Sequence, residues 1–373
     1  MSSHQKFSIV IISLILLPFV FVTAQKKDDD VIIGEYDNLH SKVLNEERTL
    51  LISLPKGYEY TQERYPVIYV LDGDVTSHAQ TFSTVNNLNW SSIPRMIIVS
   101  IKNTNRNRDM LGESHKFLQF ITEELFPYIE KKYRTNNGRI LYGESNSGVF
   151  VLTSLLENPD NFSTYIASSP TVIWRYDYMV DKVKEVSATQ IEMNKSLYII
   201  YGDNEWPKVR DTLHVYIPML EALKSNGLKI QTKFVSDGKH VPIGSLYYGL
   251  KCIFEEYEYP DEKRRQEGLD SLKTYYERFS KKVGYKVKYP YMAISGLGQR
   301  LLYQDSVEEA IEVFEVLRQD FPEDKYVDIF LAIAYYKDKN MEQAKKYYLK
   351  AKENKELETP PFAEWEEMRK KFK

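Results

Sequence analysis

Leu141-Tyr142-Gly143-Glu144-Ser145-Asn146-Ser147-Gly148-Val149-Phe150 runs an apolar strand into a sharp turn and then into an apolar helix. This context fits a nucleophile elbow, in which a serine is held in a strained backbone conformation at the carboxyl end of a strand. Such a turn needs small neighbours, and Gly143 and Ser147 fill those two places. The helix that starts at Asn146 leaves its first N–H groups without partners, so the N–H of Asn146 is a candidate oxyanion donor. Ser147 stands where a second glycine is usual, with Gly148 immediately after it. A helix cap after an ordinary strand would read the same way over so short a stretch, so the partners of Ser145 decide.

Working outward, short β-branched runs alternate with amphipathic segments, the pattern of parallel strands joined by crossover helices. Val67–Leu71 ends at Asp72-Gly73-Asp74, Met96–Ile101 follows Ile93-Pro94, and Arg139–Tyr142 leads into the elbow. Leu197–Tyr201 and Gln231–Val235 follow. Upstream, Val31–Ile33 and Val43–Leu54 read as antiparallel strands, with Glu46-Glu47-Arg48 at a turn or exposed edge. Ser114–Tyr133 is expected to be helical, since Phe117, Ile121, Leu125 and Ile129 recur on one face.

A serine hydroxyl needs a base, and in this arrangement the base lies on the loop after the last strand. Among the six histidines only His240, in Gly238-Lys239-His240-Val241-Pro242, occupies that place. The orienting carboxylate should follow the preceding strand, where Gly202-Asp203-Asn204-Glu205 offers Glu205 and, as the alternative, Asp203. A second oxyanion donor is expected from the backbone of Gly73 or Asp74.

After Tyr259-Pro260 the composition turns charge-rich and helical. Ala310, Phe314 and Pro322 are echoed by Ala344, Tyr348 and Ala351, with Ala310 and Ala344 separated by 34 positions and small residues at Gly298 and Ala332. That spacing resembles the tetratricopeptide repeat, and two units would need support from a capping helix near Pro361–Phe372 or from the preceding domain. The expected organisation is a signal peptide over 1–24, a catalytic α/β domain over 25–258, a helical linker over 259–290 and repeats with a capping helix over 291–373.

The net charge of −3 and the scattered basic residues speak against a nucleic-acid partner. Phe7–Val22 is apolar, follows Lys6, and ends in Val22-Thr23-Ala24, the small-residue pattern of a cleavage site. About 16 apolar residues fall short of the roughly 20 needed to span a bilayer, so cleavage, no lasting membrane span, and a periplasmic or secreted product are expected. The single cysteine, Cys252, cannot make an internal disulfide.

Together these residues resemble the putative-esterase family of α/β hydrolases, which includes enterochelin esterases and esterase D. The resemblance runs over about residues 30–258, through Tyr65–Gly73, the Asn103/Arg106/Arg108/Asp109 segment, the elbow, Ser168-Ser169-Pro170 to Trp174, and His240 with Gly249-Leu250. It implies an α/β-hydrolase fold, with a mainly parallel central sheet and helices on both faces, followed by a small all-α repeat domain. It also implies a cofactor-free, metal-free serine esterase acting on a small-molecule or glycan ester, such as a siderophore or an acylated polysaccharide. Arg106 and Arg108 would then border the active site and contact substrate, or else form ion pairs with Asp109; Trp174 would form a pocket wall or pack in the core. An acyltransferase using the same acyl-enzyme, and a protein-binding module in which the repeats engage a partner and the hydrolase is silent, are the alternatives.

Overall fold

Along β3 (Tyr65–Val70) the side chains alternate between two cores. Ile68 and Val70 join one cluster, while Val67, Tyr69 and the following Leu71 join the other. A strand buried on both faces has to be apolar at every position, which is why this stretch reads as a continuous run and not as an alternating one. The computed structural model describes residues 31–189, 192–324, 326–353 and 363–372. The expected signal segment, 1–24, lies outside them.

The sheet has eight strands in the order β1-β2-β4-β3-β5-β6-β7-β8. β1 (Glu35–Ser41) and β2 (Glu46–Ser53) form an antiparallel hairpin whose second strand pairs antiparallel with β4 (Ile97–Ile101). From β4 onward all pairings are parallel, through β3, β5 (Thr135–Glu144), β6 (Thr164–Ser168), β7 (Ser196–Asn204) and β8 (Lys229–Lys239). This is the α/β-hydrolase sheet. Because β3 and β5 to β8 run in one direction, the loops after them gather at a single edge, the usual place for a site in an open parallel sheet.

The N-terminal reading needs correction. Val31–Ile33 is not a strand, and Glu46-Glu47-Arg48 lies inside β2, with the turn one step earlier around Asn45, whose φ is 53°. Arg48 is fully buried, bonded to Asp109 and to Glu46, with its guanidinium 4.9 Å from the centre of the Phe117 ring. A charged residue reads as surface until its partner is known, and Asp109 lies 61 positions away.

α1 (Val75–Leu88) follows β3, and α2 (Ser114–Gln119) continues through a π-type turn at Phe120–Leu125 into α3 (Phe126–Lys132). α4 (Asn146–Glu157) starts at the elbow, and α5 (Tyr176–Ala188), α6 (Pro207–Glu221) and α7 (Ser245–Ile253) complete the layers. One face of the sheet is covered by α2 to α6. The other face is covered by α1 and α7, and its core runs on without interruption into the C-terminal helices.

Those helices are α8 (Asp261–Gln266), α9 (Leu269–Val283), α10 (Tyr291–Tyr303), α11 (Val307–Asp320), α12 (Val327–Lys337), α13 (Met341–Glu353) and α14 (Ala363–Lys371). Ala310, Ala332 and Ala344 are completely buried, and a Cβ on Gly298 would lie 2.4 Å from the Phe314 ring. Small residues therefore set the spacing between neighbouring helices here. Trp365 of α14 packs on Tyr348, ring centres 4.7 Å apart. The tail is pinned to the sheet. Arg95 pairs with Glu63 and, at 3.0 Å, with Glu323, and the Tyr257 hydroxyl donates to the Lys288 carbonyl at 2.5 Å. Residues 33–373 accordingly form one compact unit. Among the described residues no helix is long and apolar enough to cross a membrane.

Candidate active site

Ser145 sits between β5 and α4 with φ 57° and ψ −118°, a conformation that a non-glycine residue adopts only under constraint. Two of the constraints are visible. Its N–H donates to the Ser168 carbonyl at 2.8 Å, and its own carbonyl accepts from Thr171 at 3.3 Å and from Val149 at 3.2 Å. Gly143 is required for a steric reason: a Cβ there would lie 2.5 Å from the Ser147 carbonyl oxygen. Asp72 (φ 55°), Ser169 (φ 42°) and Val241 (φ 56°) are also in the left-handed region, so backbone strain gathers on the loops around this edge.

The serine hydroxyl lies 2.9 Å from His240 Nε2, and His240 Nδ1 lies 2.6 Å from Glu205 Oε1. An ionised carboxylate can only accept, so Nδ1 donates to Glu205, leaving Nε2 with a lone pair toward Ser145. Burial by itself would raise the Glu205 carboxyl, but hydrogen bonds from His240, from the Ser169 hydroxyl and from the Trp206 N–H (2.8 Å) hold it below its ordinary value. Glu205 is therefore charged near neutral pH and suited to steady an imidazolium. Asp203, the alternative acid, is not brought to His240; its Oδ1 is buried without a hydrogen bond.

β7 and β8 deliver Glu205 and His240 through a close crossing. A Cβ on Gly202 would lie 2.0 Å from the Gly238 carbonyl oxygen, so the two strands touch backbone to backbone just before their loops diverge. The Val241 N–H then donates to the Ser169 hydroxyl at 3.0 Å, tying the histidine loop to the turn after β6.

The oxyanion expectations divide. Asn146 opens α4, so its N–H has no carbonyl four residues back within the helix, and the position stays available. Gly73 and Asp74 need correction: the Gly73 N–H is bonded to the Ile101 carbonyl at 2.9 Å and the Asp74 N–H to the Asp72 carbonyl at 2.8 Å. Asp74 instead caps α1, its side chain accepting from the Ser77 N–H at 2.8 Å. Hydrogen bonding by a tight turn to a neighbouring strand cannot be read from composition, and the turn geometry takes both donors.

Asp72 is the residue of that loop which faces the elbow. Its carboxylate accepts from Asn103 (2.5 Å), from Arg106 at both oxygens (2.7 Å each) and from the Ser147 hydroxyl (2.6 Å). Ser147 is thus a tie between the elbow and the loop after β3, more than a small residue that fits. Arg106 also donates to the Glu144 carbonyl at 3.1 Å, so its partner is Asp72 and not Asp109. Arg108 is a further correction, since its guanidinium is bonded to Glu46 at 2.6 and 2.9 Å and to Asp109 at 2.8 Å within the ion-pair cluster around Arg48. Its charge is thus engaged by two carboxylates of this cluster. Burial, followed by repulsion from Asp72, raises the Glu144 carboxyl above its ordinary value.

Trp174, in the turn after β6, is 64% exposed, which removes the core-packing reading and leaves its ring on the surface. Trp206 was not singled out from sequence. Its ring lies flat on His240, centres 4.0 Å apart and planes 13° from parallel. The available signal was its position, immediately after the acid. Among the described residues no cluster of side chains suited to hold a metal ion is found.

Residues 41–224 match the family model described as Putative esterase. The ferri-bacillibactin esterase BesA of Bacillus subtilis is 28% identical over 138 residues, covering 35% of this chain and 48% of that protein. The siderophore enterobactin esterase of Emericella nidulans is 39% identical over 158 residues, covering 40% and 51%. The chain thus spans about half the length of the curated relatives it matches. The crystal structure of an IroE-like serine hydrolase from Shewanella oneidensis superposes with a TM-score of 0.66 at 26% identity, covering 77% of this chain and 99% of that one. The stretch that matches the Putative esterase family, residues 41–224, contains the elbow, Asp72 and Arg106.

Proposed function

We propose that this protein is an exported serine esterase in which Ser145, His240 and Glu205 form the catalytic triad. The observation that carries the reading is the continuous hydrogen-bonded line from Ser145 through His240 to a carboxylate held charged by its surroundings. Ser145 Oγ attacks the ester carbonyl as His240 Nε2 takes its proton. The tetrahedral oxyanion is held by the Asn146 N–H, and the C–O bond to the alcohol breaks as His240 returns the proton to the leaving oxygen. Water then attacks the acyl-enzyme, its proton passing to His240. Breakdown of the second tetrahedral intermediate releases the acid and restores Ser145. One donor of the Asn146 kind is typically worth about 3 kcal/mol of barrier.

The siderophore ester class is favoured for the substrate, because the matched relatives bear that name and the matched stretch contains the elbow and the Asp72–Arg106 loops. Acylated polysaccharides are the other ester class that suits export. The division into a hydrolase part ending near 258, a linker and a two-unit tetratricopeptide-like array is proposed on the 34-residue spacing of Ala310 and Ala344, both fully buried.

The test incubates the chain from Gln25 with a fluorophosphonate probe, with p-nitrophenyl acetate and with enterobactin, followed by mass spectrometry. Labelling confined to Ser145, ester cleavage, and loss of both in a folded Ser145→Ala variant are expected. Turnover retained by Ser145→Ala would overturn the assignment. Cleavage of the simple ester without cleavage of enterobactin would keep the enzyme and remove the siderophore class.

A further inference from the structure

Trp206 occupies an unusual position for a large apolar side chain: 55% of it is open to solvent, yet one face of its ring is covered by an imidazole. Its place is fixed from both sides. The backbone N–H donates to the same Glu205 oxygen that accepts from His240, and the backbone carbonyl accepts from Val209 and Arg210 at 2.9 Å each, opening α6. A ring anchored this way holds its stack without having to be ordered by substrate.

The π face of an indole carries partial negative charge and attracts a cation placed over it. His240 becomes a cation twice in each catalytic cycle, on formation of each tetrahedral intermediate. We propose that Trp206 is a positioning residue for His240, its ring fixing the plane of the imidazole and stabilising the imidazolium through its π face. The inference rests on the esterase reading of Ser145 and His240. Glu205 faces Nδ1, Ser145 faces Nε2, and Glu144 interacts electrostatically with His240 from the elbow, with the Asp72–Arg106 pair behind it. Those neighbours set the charge environment at the ring edges, whereas Trp206 acts on the ring face.

Two readouts test this, one of them independent of turnover. A protonated imidazole stacked on an indole quenches its fluorescence. The emission lost on Trp206→Phe should therefore fall on acidification in the wild-type protein and stay flat in His240→Asn. The acid limb of kcat/KM for p-nitrophenyl acetate should have the same midpoint as the quench. Trp206→Leu should lower kcat roughly three- to tenfold with little change in KM and move the acid limb to lower pH, while Trp206→Phe should recover most of both. Trp206 emission that is insensitive to pH across the limb, or equal pH profiles for the Leu and Phe variants, would overturn the inference while leaving the esterase intact. A quench that is present while Ser145→Ala retains turnover would instead reject the esterase reading and keep the stack.

Discussion

At the scale of single residues, two carboxylates on neighbouring loops are tuned in opposite directions. Glu205 is depressed by its hydrogen bonds, so it adds stability that is present above its ordinary value of 4.5 and is lost as pH falls through the folded value. Glu144 is raised by burial and by Asp72, so the folded state holds its proton more tightly and loses stability as pH rises through the same region. Glu205→Gln should therefore lower Tm at pH 7 and Glu144→Gln should raise it, with both differences shrinking towards pH 4, when measured by thermal unfolding across that range. A shift of roughly 2 °C corresponds to each kcal/mol in a chain of this size. Opposite signs at pH 7 are the decisive result; a loss in both variants would mean that Glu144 is held by contacts its charge does not disfavour. Much of the arrangement at this scale was legible beforehand, since a serine between small residues after an apolar strand, and a histidine after the last strand, have local signatures, and the two are brought within hydrogen-bond distance. Asp72, Ser147 and Trp206 were not. Their importance comes from partners 75, 75 and 34 positions away, which no local pattern encodes.

At the scale of elements, the site depends on where strands end. The Gly202–Gly238 crossing brings β7 and β8 together just before they part, and it sets the distance between the Glu205 and His240 loops. Gly202→Ala would place a methyl group 2.0 Å from a carbonyl oxygen, so the backbones must separate. A misplacement of about 1 Å in a catalytic constellation can cost on the order of 100-fold in rate. A kcat at least that much lower is expected, together with a lower Tm; wild-type kinetics in Gly202→Ala would show that the loops are positioned elsewhere. The parallel strands were legible because burial on both faces gives continuous apolar runs, as in β3 and in Ile140–Tyr142 of β5. The first hairpin was misread at Arg48, where a buried ion pair masquerades as a surface turn. The interruption between α8 and α9 at Gly268 went unanticipated within a stretch that reads as continuous helix.

At the scale of the whole molecule, the apolar core on one face of the sheet continues through α7 and α9 into α10 to α14. Cutting the chain after Glu258 would expose the far side of that core, including Tyr257, which packs on Tyr276 and Phe279 at 5.2 and 5.5 Å. The truncated protein should be insoluble or molten, and calorimetry of the full chain should give a single cooperative transition whose van't Hoff and calorimetric enthalpies agree. Two resolved transitions would instead mark a tail that unfolds by itself. Ala310 and Ala344, read from the repeat spacing, fall in α11 and α13, and the shortness of a two-unit array already called for support from a capping helix or the preceding domain, but no local pattern named the residues of the shared core. That junction is made by Tyr257, Arg95 and Glu323, each of which has its partner in a distant segment.

The Arg95–Glu323 tie and the Tyr257–Lys288 bond have a mechanical side. A tail joined by a slack linker would swing like a tether and leave the enzyme indifferent to whatever held its end. Here a load applied to α11 is passed by Glu323 to Arg95 and from Arg95 to Glu63, just ahead of β3, the strand whose opposite end leads to Asp72. Immobilising the protein through α11 would strain the sheet that carries Ser145 and Asp72.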